Sequence, residues 1–320
     1  MAATQTTWGY ALSSEEHRPS DMVRYARLAE DTGFGFIGIS DHFHPWTDSQ
    51  GESPFVWSVL GAIAETTERI ELITGVTAPI IRMHPGIVAH AAATTAAMMP
   101  GRFSLGLGSG EALNEHIFGD RWPPTDVRLE MLEEAIAVIR LLWQGGSQSH
   151  EGKHYRVENA RIYTLPDELP PIVVAASGDK AARLAGRCGD GLMSTAPDAD
   201  VIKTWSQASG KGPKYAQVTV LWHDDEATAK KMAYELWPNA ATTGQLSQDL
   251  PTPAHFEQAA EMVDEDAVAT KVVCGPDVGR HVEMIERYRD AGFDHIYLHQ
   301  VGPDQEGFFR FWDTELSKRL

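Results

Sequence analysis

Short apolar segments that alternate with longer amphipathic ones constrain this chain more than any single residue does. WGYAL (8–12), GFIGIS (35–40), IELITGV (70–76), FSLGLGSG (103–110), PIVVAAS (171–177), GLMST (191–195), AQVTVLW (216–222) and HIYLHQV (295–301) have strand length and a near-continuous apolar character. Helical patterns lie between them. In SDMVRYARLAEDTGF (20–34), Met22, Val23, Ala26, Leu28 and Ala29 mark an apolar face, Ser20 or Asp21 offers a cap, and Gly33 stops the helix. PPTDVRLEMLEEAIAVIRLLWQGG (123–146) and DVGRHVEMIERYRDAGF (277–293) follow the same plan. Strand-then-helix order demands parallel strands, because each helix carries the chain back across the sheet. Strands that are apolar on both sides belong in a sheet covered on both faces. Eight such strands predict an α/β fold of the closed (β/α)8 type, a TIM barrel, with an open doubly wound sheet as the alternative.

The 320 residues suit one barrel of roughly 250 residues with insertions. The expectation is a single domain over 1–320, with insertions at about 146–170, read as a loop with a short β-hairpin, and at 238–264, a long excursion between the seventh and eighth strands. KVVCGPD (271–277) reads as a short extra strand and turn. A net charge of -18 argues against nucleic acid or an anionic membrane as partner. It leaves open a small anion held by local backbone N–H groups. The two cysteines, Cys188 and Cys274, lie far apart and outside any zinc-type spacing, which predicts reduced thiols. The N-terminal stretch has neither the basic nor the apolar region of a signal peptide, and no apolar run reaches membrane-spanning length. A cytoplasmic protein is expected.

In a barrel of this kind chemistry gathers at the C-terminal ends of the strands. The second strand ends in Ser40-Asp41-His42 and continues through His44 to Trp46; the third ends in Gly75-Val76; the fourth in Gly108-Ser109-Gly110-Glu111, followed by Asn114. The fifth ends in Ala176-Ser177-Gly178, the sixth reaches Thr195, and the eighth reaches His299. Taken singly, Asp41-His42 reads equally as a capped turn and Glu111 as a helix cap; together they predict one shared site. A histidine exchanges a hydroxyl proton near neutral pH, a shielded carboxylate acts as an acid, and Trp46 can wall a flat ring, so hydride or proton transfer with a bound cofactor is the chemistry indicated. No metal site is expected, since His42 and His44 sit two apart on an extended segment and point opposite ways. Ser177-Gly178 ahead of a helix, with Lys180 and Arg183 following, suits an anion. Trp222 and His299 are expected to shape the substrate pocket, whereas Trp143, Trp205, Trp237 and Trp312 read as core or helix-packing residues.

SDHFHPW (40–46), GSGEALNE (108–115), the ASG turn at 176–178 and AGRCGDG (185–191) resemble the luciferase-like flavin and deazaflavin barrels. The similarity runs from about residue 8 to 318, and its closest branch holds the F420-dependent glucose-6-phosphate dehydrogenases and secondary alcohol dehydrogenases. The resemblance implies coenzyme F420 as cofactor, His42 as the base that takes the substrate hydroxyl proton, Glu111 as the acid at the deazaflavin N1 region, and Trp46 on the substrate side. It implies cofactor contacts at Asp41, Gly75, Val76, Gly108, Ser109, Asn114, Ala176, Ser177 and Gly178, substrate contacts at Trp46 and Thr195, a non-prolyl cis peptide at Gly75-Val76, and a homodimer.

The chain departs from the sugar-phosphate branch where that branch holds phosphate. Thr195 is kept, but Asp198, Ser247 and about Ala269 stand at the three cationic positions, and Lys271 replaces the last only with a gap. Phosphate recognition usually requires Arg or Lys donors. A non-phosphorylated alcohol, sugar or corresponding carbonyl is therefore the expected substrate. An FMN-dependent monooxygenase and a catalytically silent binding barrel are the rival readings.

Overall fold

A computed structural model describes residues 6–242 and 244–320. Eight strands form the barrel: β1 (Thr7–Leu12), β2 (Phe36–Ile39), β3 (Glu71–Thr74), β4 (Phe103–Leu107), β5 (Ile172–Ala175), β6 (Gly191–Ser194), β7 (Lys214–Leu221) and β8 (His295–Gln300). Every neighbouring pair is parallel, and the ring closes where Tyr10 of β1 lies opposite Leu298 of β8. The open-sheet alternative is thereby excluded. Val273–Cys274 adds the short extra strand beside β7.

Successive side chains alternate between two environments, as a pleated strand requires. Tyr10, Leu12, Ile37, Ile39, Leu72, Leu105 and Leu107 face the helices in one large core. Ala11, Phe36, Ile73, Val173, Met193, Tyr215 and Tyr297 fill the inside of the barrel. Aromatic rings fit there because glycines stand beside them. A Cβ on Gly9 would lie 2.5 Å from the Phe36 ring, and one on Gly38 would lie 2.8 Å from the Tyr297 ring.

The helices begin and end for local reasons. The first runs Pro19–Asp31 rather than starting from a Ser20 or Asp21 cap: Pro19, with its preset φ, takes the first turn, and the preceding Arg18 makes no side-chain cap. The last long helix, Val278–Ala291, is capped by Asp277, whose Oδ1 accepts from Gly279 N at 2.8 Å. Insertion 146–170 contains the expected hairpin, Gln148–Glu151 paired with Arg156–Ala160. Insertion 238–264 is helical, with turns at Pro238–Ala241, Leu246–Asp249 and Pro253–Ala260. It reaches the C-terminal mouth of the barrel, where fully buried Phe256 meets Trp46 edge-on at 5.1 Å. Cys188 and Cys274 are both unpaired, and no helix among the described residues is long and apolar enough to cross a membrane.

Gly9→Ala places a methyl group against the buried Phe36 ring and is expected to destabilise the protein by about 1–3 kcal/mol. Combining it with Phe36→Leu should cost clearly less than the two single changes summed, as read by denaturant unfolding of all four proteins.

Candidate active site

The polar ends of the inward-facing positions open into one cavity of about 970 Å³ at the C-terminal mouth. His42, Trp46, Gly75, Val76, Gly108, Ser109, Glu111, Ala176, Ser177, Gly178, Thr195 and His299 all line it. The peptide between Gly75 and Val76 is cis. Its floor is made of barrel-interior groups, among them Ala11, Met193 and Tyr297.

His42 is the most elaborately supported of these groups. Its Nδ1 lies 2.9 Å from Oε1 of Glu15, a residue of the β1–helix loop, in an approach too bent for a good hydrogen bond. The other Glu15 oxygen, Oε2, accepts from Ser40 Oγ at 2.7 Å and Ser13 Oγ at 2.9 Å. Glu15 is buried, which by itself raises a carboxyl pKa, but the charge and close approach of His42 and the hydrogen bond from Ser40 bring it down to about 2. Burial equally presses His42 toward its neutral form, yet the Glu15 carboxylate outweighs this and raises its pKa above the usual imidazole value. With Nδ1 turned to Glu15, Nε2 is the nitrogen offered to the cavity. The Trp46 ring stands edge-on to the imidazole at 5.0 Å.

The loop that carries His42 and Trp46 is fastened from behind. Asp41 and Asn114, expected among the cofactor contacts, do not line the cavity. Buried Asp41 accepts from Arg82 Nη2 at 2.9 Å and from Thr77 Oγ1 at 2.7 Å. Asn114 Oδ1 accepts from the backbone N–H groups of Phe43 and His44 at 2.8 and 3.0 Å. His44 points away from the cavity and bonds through Nδ1 to the Leu113 carbonyl at 3.0 Å. Arg82 also faces buried Glu115, whose carboxylate accepts from Arg82 N at 2.8 Å. Burial, with help from the charge of Glu111, pushes Glu115 up to about 7 against the pull of Arg82. Glu111 itself precedes the Ala112–Glu115 turn without capping it, which leaves its carboxyl for the cavity.

One tryptophan lies outside the place expected of it, and a second does more than expected. Trp222 lies outside the cavity, stacked on Phe311 at 5.9 Å and pressed against Gly307, because the inward positions of β7 are Tyr215, Gln217 and Thr219 and Trp222 falls on the other face. Trp237 is a buried core residue, as read, and also lines the cavity, where it meets the His299 ring at 4.6 Å. His299 Nε2 lies 3.0 Å from Glu16 Oε2. Glu15 and Glu16 were missed by sequence reasoning although SSEE directly follows the first strand, and the rule applied to the other strand ends would have found them.

At the anion-friendly turn, the helix Asp179–Cys188 directs its N-terminus at the cavity, with Gly178 in the cap position. Lys180 adds less charge there than expected, since its Nζ is 2.7 Å from Asp126. Asp198 is committed to capping the helix Ala199–Gln207. Lys271 lines the cavity where Ala269 does not, and Arg287, another exposed cation that the sequence reading missed, joins it at the rim.

Glu15→Gln removes the main upward influence on His42 and leaves its burial, so imidazole NMR shifts should titrate above pH 6.5 in the native protein and below it in the variant. The native protein's stability advantage over the variant should be greatest between pH 4.5 and 6.5. The Glu15 share is present above 4.5 and lost as pH falls toward about 2; the His42 share is present below 6.5 and lost as pH rises through the raised folded value. Denaturant unfolding across this range reads both limbs.

Comparison with known proteins agrees with this geometry. An F420-dependent glucose-6-phosphate dehydrogenase of Microbacterium testaceum (strain StLB037) is 35% identical, over 98% of this chain and 97% of its own. An F420-dependent hydroxymycolic acid dehydrogenase of Mycobacterium tuberculosis (strain ATCC 25618 / H37Rv) is 39% identical, over 98% of this chain and 88% of its own. The structure of an F420-dependent secondary alcohol dehydrogenase in complex with an F420-acetone adduct superposes with a TM-score of 0.90 at 30% identity, covering 97% of both chains. The model of the luciferase-like monooxygenase family matches residues 2–295. This chain belongs to the luciferase-like family.

Proposed function

We propose that this protein is an F420-dependent oxidoreductase that moves a hydride between F420 and a non-phosphorylated alcohol or sugar, or the corresponding carbonyl compound. The observation that carries the reading is a carboxylate-backed imidazole, Glu15–His42, in the same cavity as Glu111. The cavity fits the cofactor. Gly75, Val76 and Gly108 give it a flat wall, since any Cβ on Gly108 would abut Val76 at 2.5 Å. Ser109 and Ala176 continue that wall, and Ser177-Gly178 present helix N-terminal N–H groups to an anionic portion. Asp41 and Asn114 hold the cofactor-facing loop rather than the cofactor.

When bound, F420 accepts or supplies a hydride at the deazaflavin C5. In the direction of oxidation, His42 Nε2 takes the substrate hydroxyl proton as the carbinol carbon gives up its hydride, and the Glu15 carboxylate stabilises the resulting imidazolium. Glu111 faces the deazaflavin N1 edge and exchanges the proton needed there. Trp46, braced by Phe256, keeps the substrate against His42. In the direction of reduction His42 gives its proton to the forming alcohol oxygen and Glu111 takes back the proton from the N1 edge, because the two directions share one transition state.

The non-phosphorylated preference is supported by Asp198 and Ser247, which stand where the sugar-phosphate branch carries cations; Asp198 caps a helix and Ser247 lines the cavity. Lys271 and Arg287 are the rim cations that a sugar phosphate would have to use. The reading takes 1–320 as one barrel domain, located in the cytoplasm and acting as a homodimer. Exposed Phe43, Phe55, Ile87 and Phe118 supply apolar surface for a second copy to cover.

Titration with F420 and FMN, followed by F420 absorbance as alcohols, sugars and sugar phosphates are added, tests the reading. F420 should bind, and its absorbance should bleach with an uncharged substrate. Binding of FMN alone would move the protein to the monooxygenases, and preferential turnover of glucose 6-phosphate would overturn the substrate assignment. His42→Ala should keep F420 affinity while kcat/KM falls by roughly 10²–10⁴. Unchanged turnover in this variant would contradict the role of His42.

A further inference from the structure

The geometry points to a second recognition element in the same cavity: a polar wall of Gln217, Thr219 and His299 that selects substrates carrying another hydroxyl group beside the reacting one. This rests on the proposed alcohol-oxidising function and goes beyond it by naming what distinguishes a good substrate from a poor one.

Along β7 the stretch 215–221 is buried except at Gln217 and Thr219, the two partly open positions, both of which line the cavity. Deeper in the barrel the inward positions are apolar, as Tyr215 is on this strand, and polar ones near the C-terminal end serve the site. Gln217 and Thr219 are polar, and one of them is held in a fixed orientation. Glu16 receives His299 Nε2 at 3.0 Å and the Gly302 N–H at 2.9 Å, so it is anchored on both oxygens. With the Nε2 hydrogen directed at a carboxylate, His299 Nδ1 is left to accept, and Gln217 Nε2 approaches it at 3.4 Å. The chain Glu16–His299–Gln217 thereby turns the Gln217 carbonyl oxygen away from the histidine. Among the described residues, neither this oxygen nor Thr219 Oγ1 has a protein hydrogen-bond partner.

Acceptors displayed in this way favour a ligand that brings hydroxyl donors. An alkyl group placed against them strips their water and returns nothing, whereas a hydroxyl satisfies them. Trp237, edge-on to His299, offers an apolar face for the carbon skeleton between the hydroxyls. The class of substrate indicated is an uncharged diol or polyol, sugars included, with simple secondary alcohols as poor substrates. Gln217 and Thr219 set specificity, and His299 and Glu16 are positioning residues that act through Gln217.

The test compares the native protein with the Gln217→Leu/Thr219→Val double variant on glycerol, 1,2-propanediol and 2-propanol. The native protein should favour the hydroxylated substrates in kcat/KM, and the double variant should lose roughly 10–100-fold on them, mostly through KM, while changing 2-propanol by no more than about threefold. Equal losses on all three, or a native preference for 2-propanol, would overturn the inference. Equilibrium binding of glycerol to both proteins, with and without F420, gives a second readout that needs no turnover. If F420 neither binds nor bleaches, the cofactor reading fails, and weaker glycerol binding by the variant still supports the wall. If F420 bleaches normally with 2-propanol but glycerol binds both proteins equally, the wall fails and the cofactor reading stands. Glu16→Gln with the wall residues intact should reproduce part of the glycerol defect and spare 2-propanol.

Discussion

The 2.9 Å contact between Glu15 and His42 is the interaction on which the rest of the site depends. A buried ion pair rarely stabilises a fold, because desolvation of both partners offsets their attraction. This pair persists because Ser13 and Ser40 satisfy the second carboxylate oxygen and because the loop that carries His42 is held separately by Asn114. The result is a proton acceptor stronger than a free imidazole, its side chain mostly buried at the cavity wall. The anchoring of its loop through Asp41, Arg82, Thr77 and Asn114 spends several buried polar groups on holding one segment still. That is a sensible use of them in a protein whose chemistry needs a fixed base.

The barrel supplies what such a site needs. Parallel closure brings the ends of eight strands to one mouth, so that residues from 15 to 299 meet although no local sequence links them. Its interior is filled by Phe36, Tyr215 and Tyr297 up to the cavity floor, which makes the site a cup with a packed base. The excursion after β7 completes the rim from outside: Phe256 meets Trp46, and Gln50 Nε2 donates to Asn239 Oδ1 at 3.3 Å. Loop and insertion thus brace each other around the substrate side.

Much of this was legible in the sequence. Burial on both faces gives the strands an apolar signature, and the concentration of Asp, His and Trp in SDHFHPW marks a strand end with unusual chemistry. What the sequence hid has physical causes. SSEE reads as a solvated charge cluster, and only the fold buries Glu15 beneath Ser40 and His42. Asp41 and Asn114 sit next to cavity residues in sequence, but the strand pleat and the turn aim them backwards. Trp222 ends a strand yet falls on its outer face, whereas Trp237 arrives through the helix Glu226–Leu236, and no local pattern forecasts where that helix delivers it.

The central claim is that Glu15 makes His42 the base of a proton-coupled hydride transfer. The measurement that tests it most directly is the pH dependence of kcat/KM for F420-dependent alcohol oxidation in the native protein and in Glu15→Gln. The account predicts a native rate that rises with pH through a limb above 6.5, the ordinary imidazole value, and a limb moved to lower pH, with a lower plateau, in the variant. Superimposable profiles for the two proteins would contradict it.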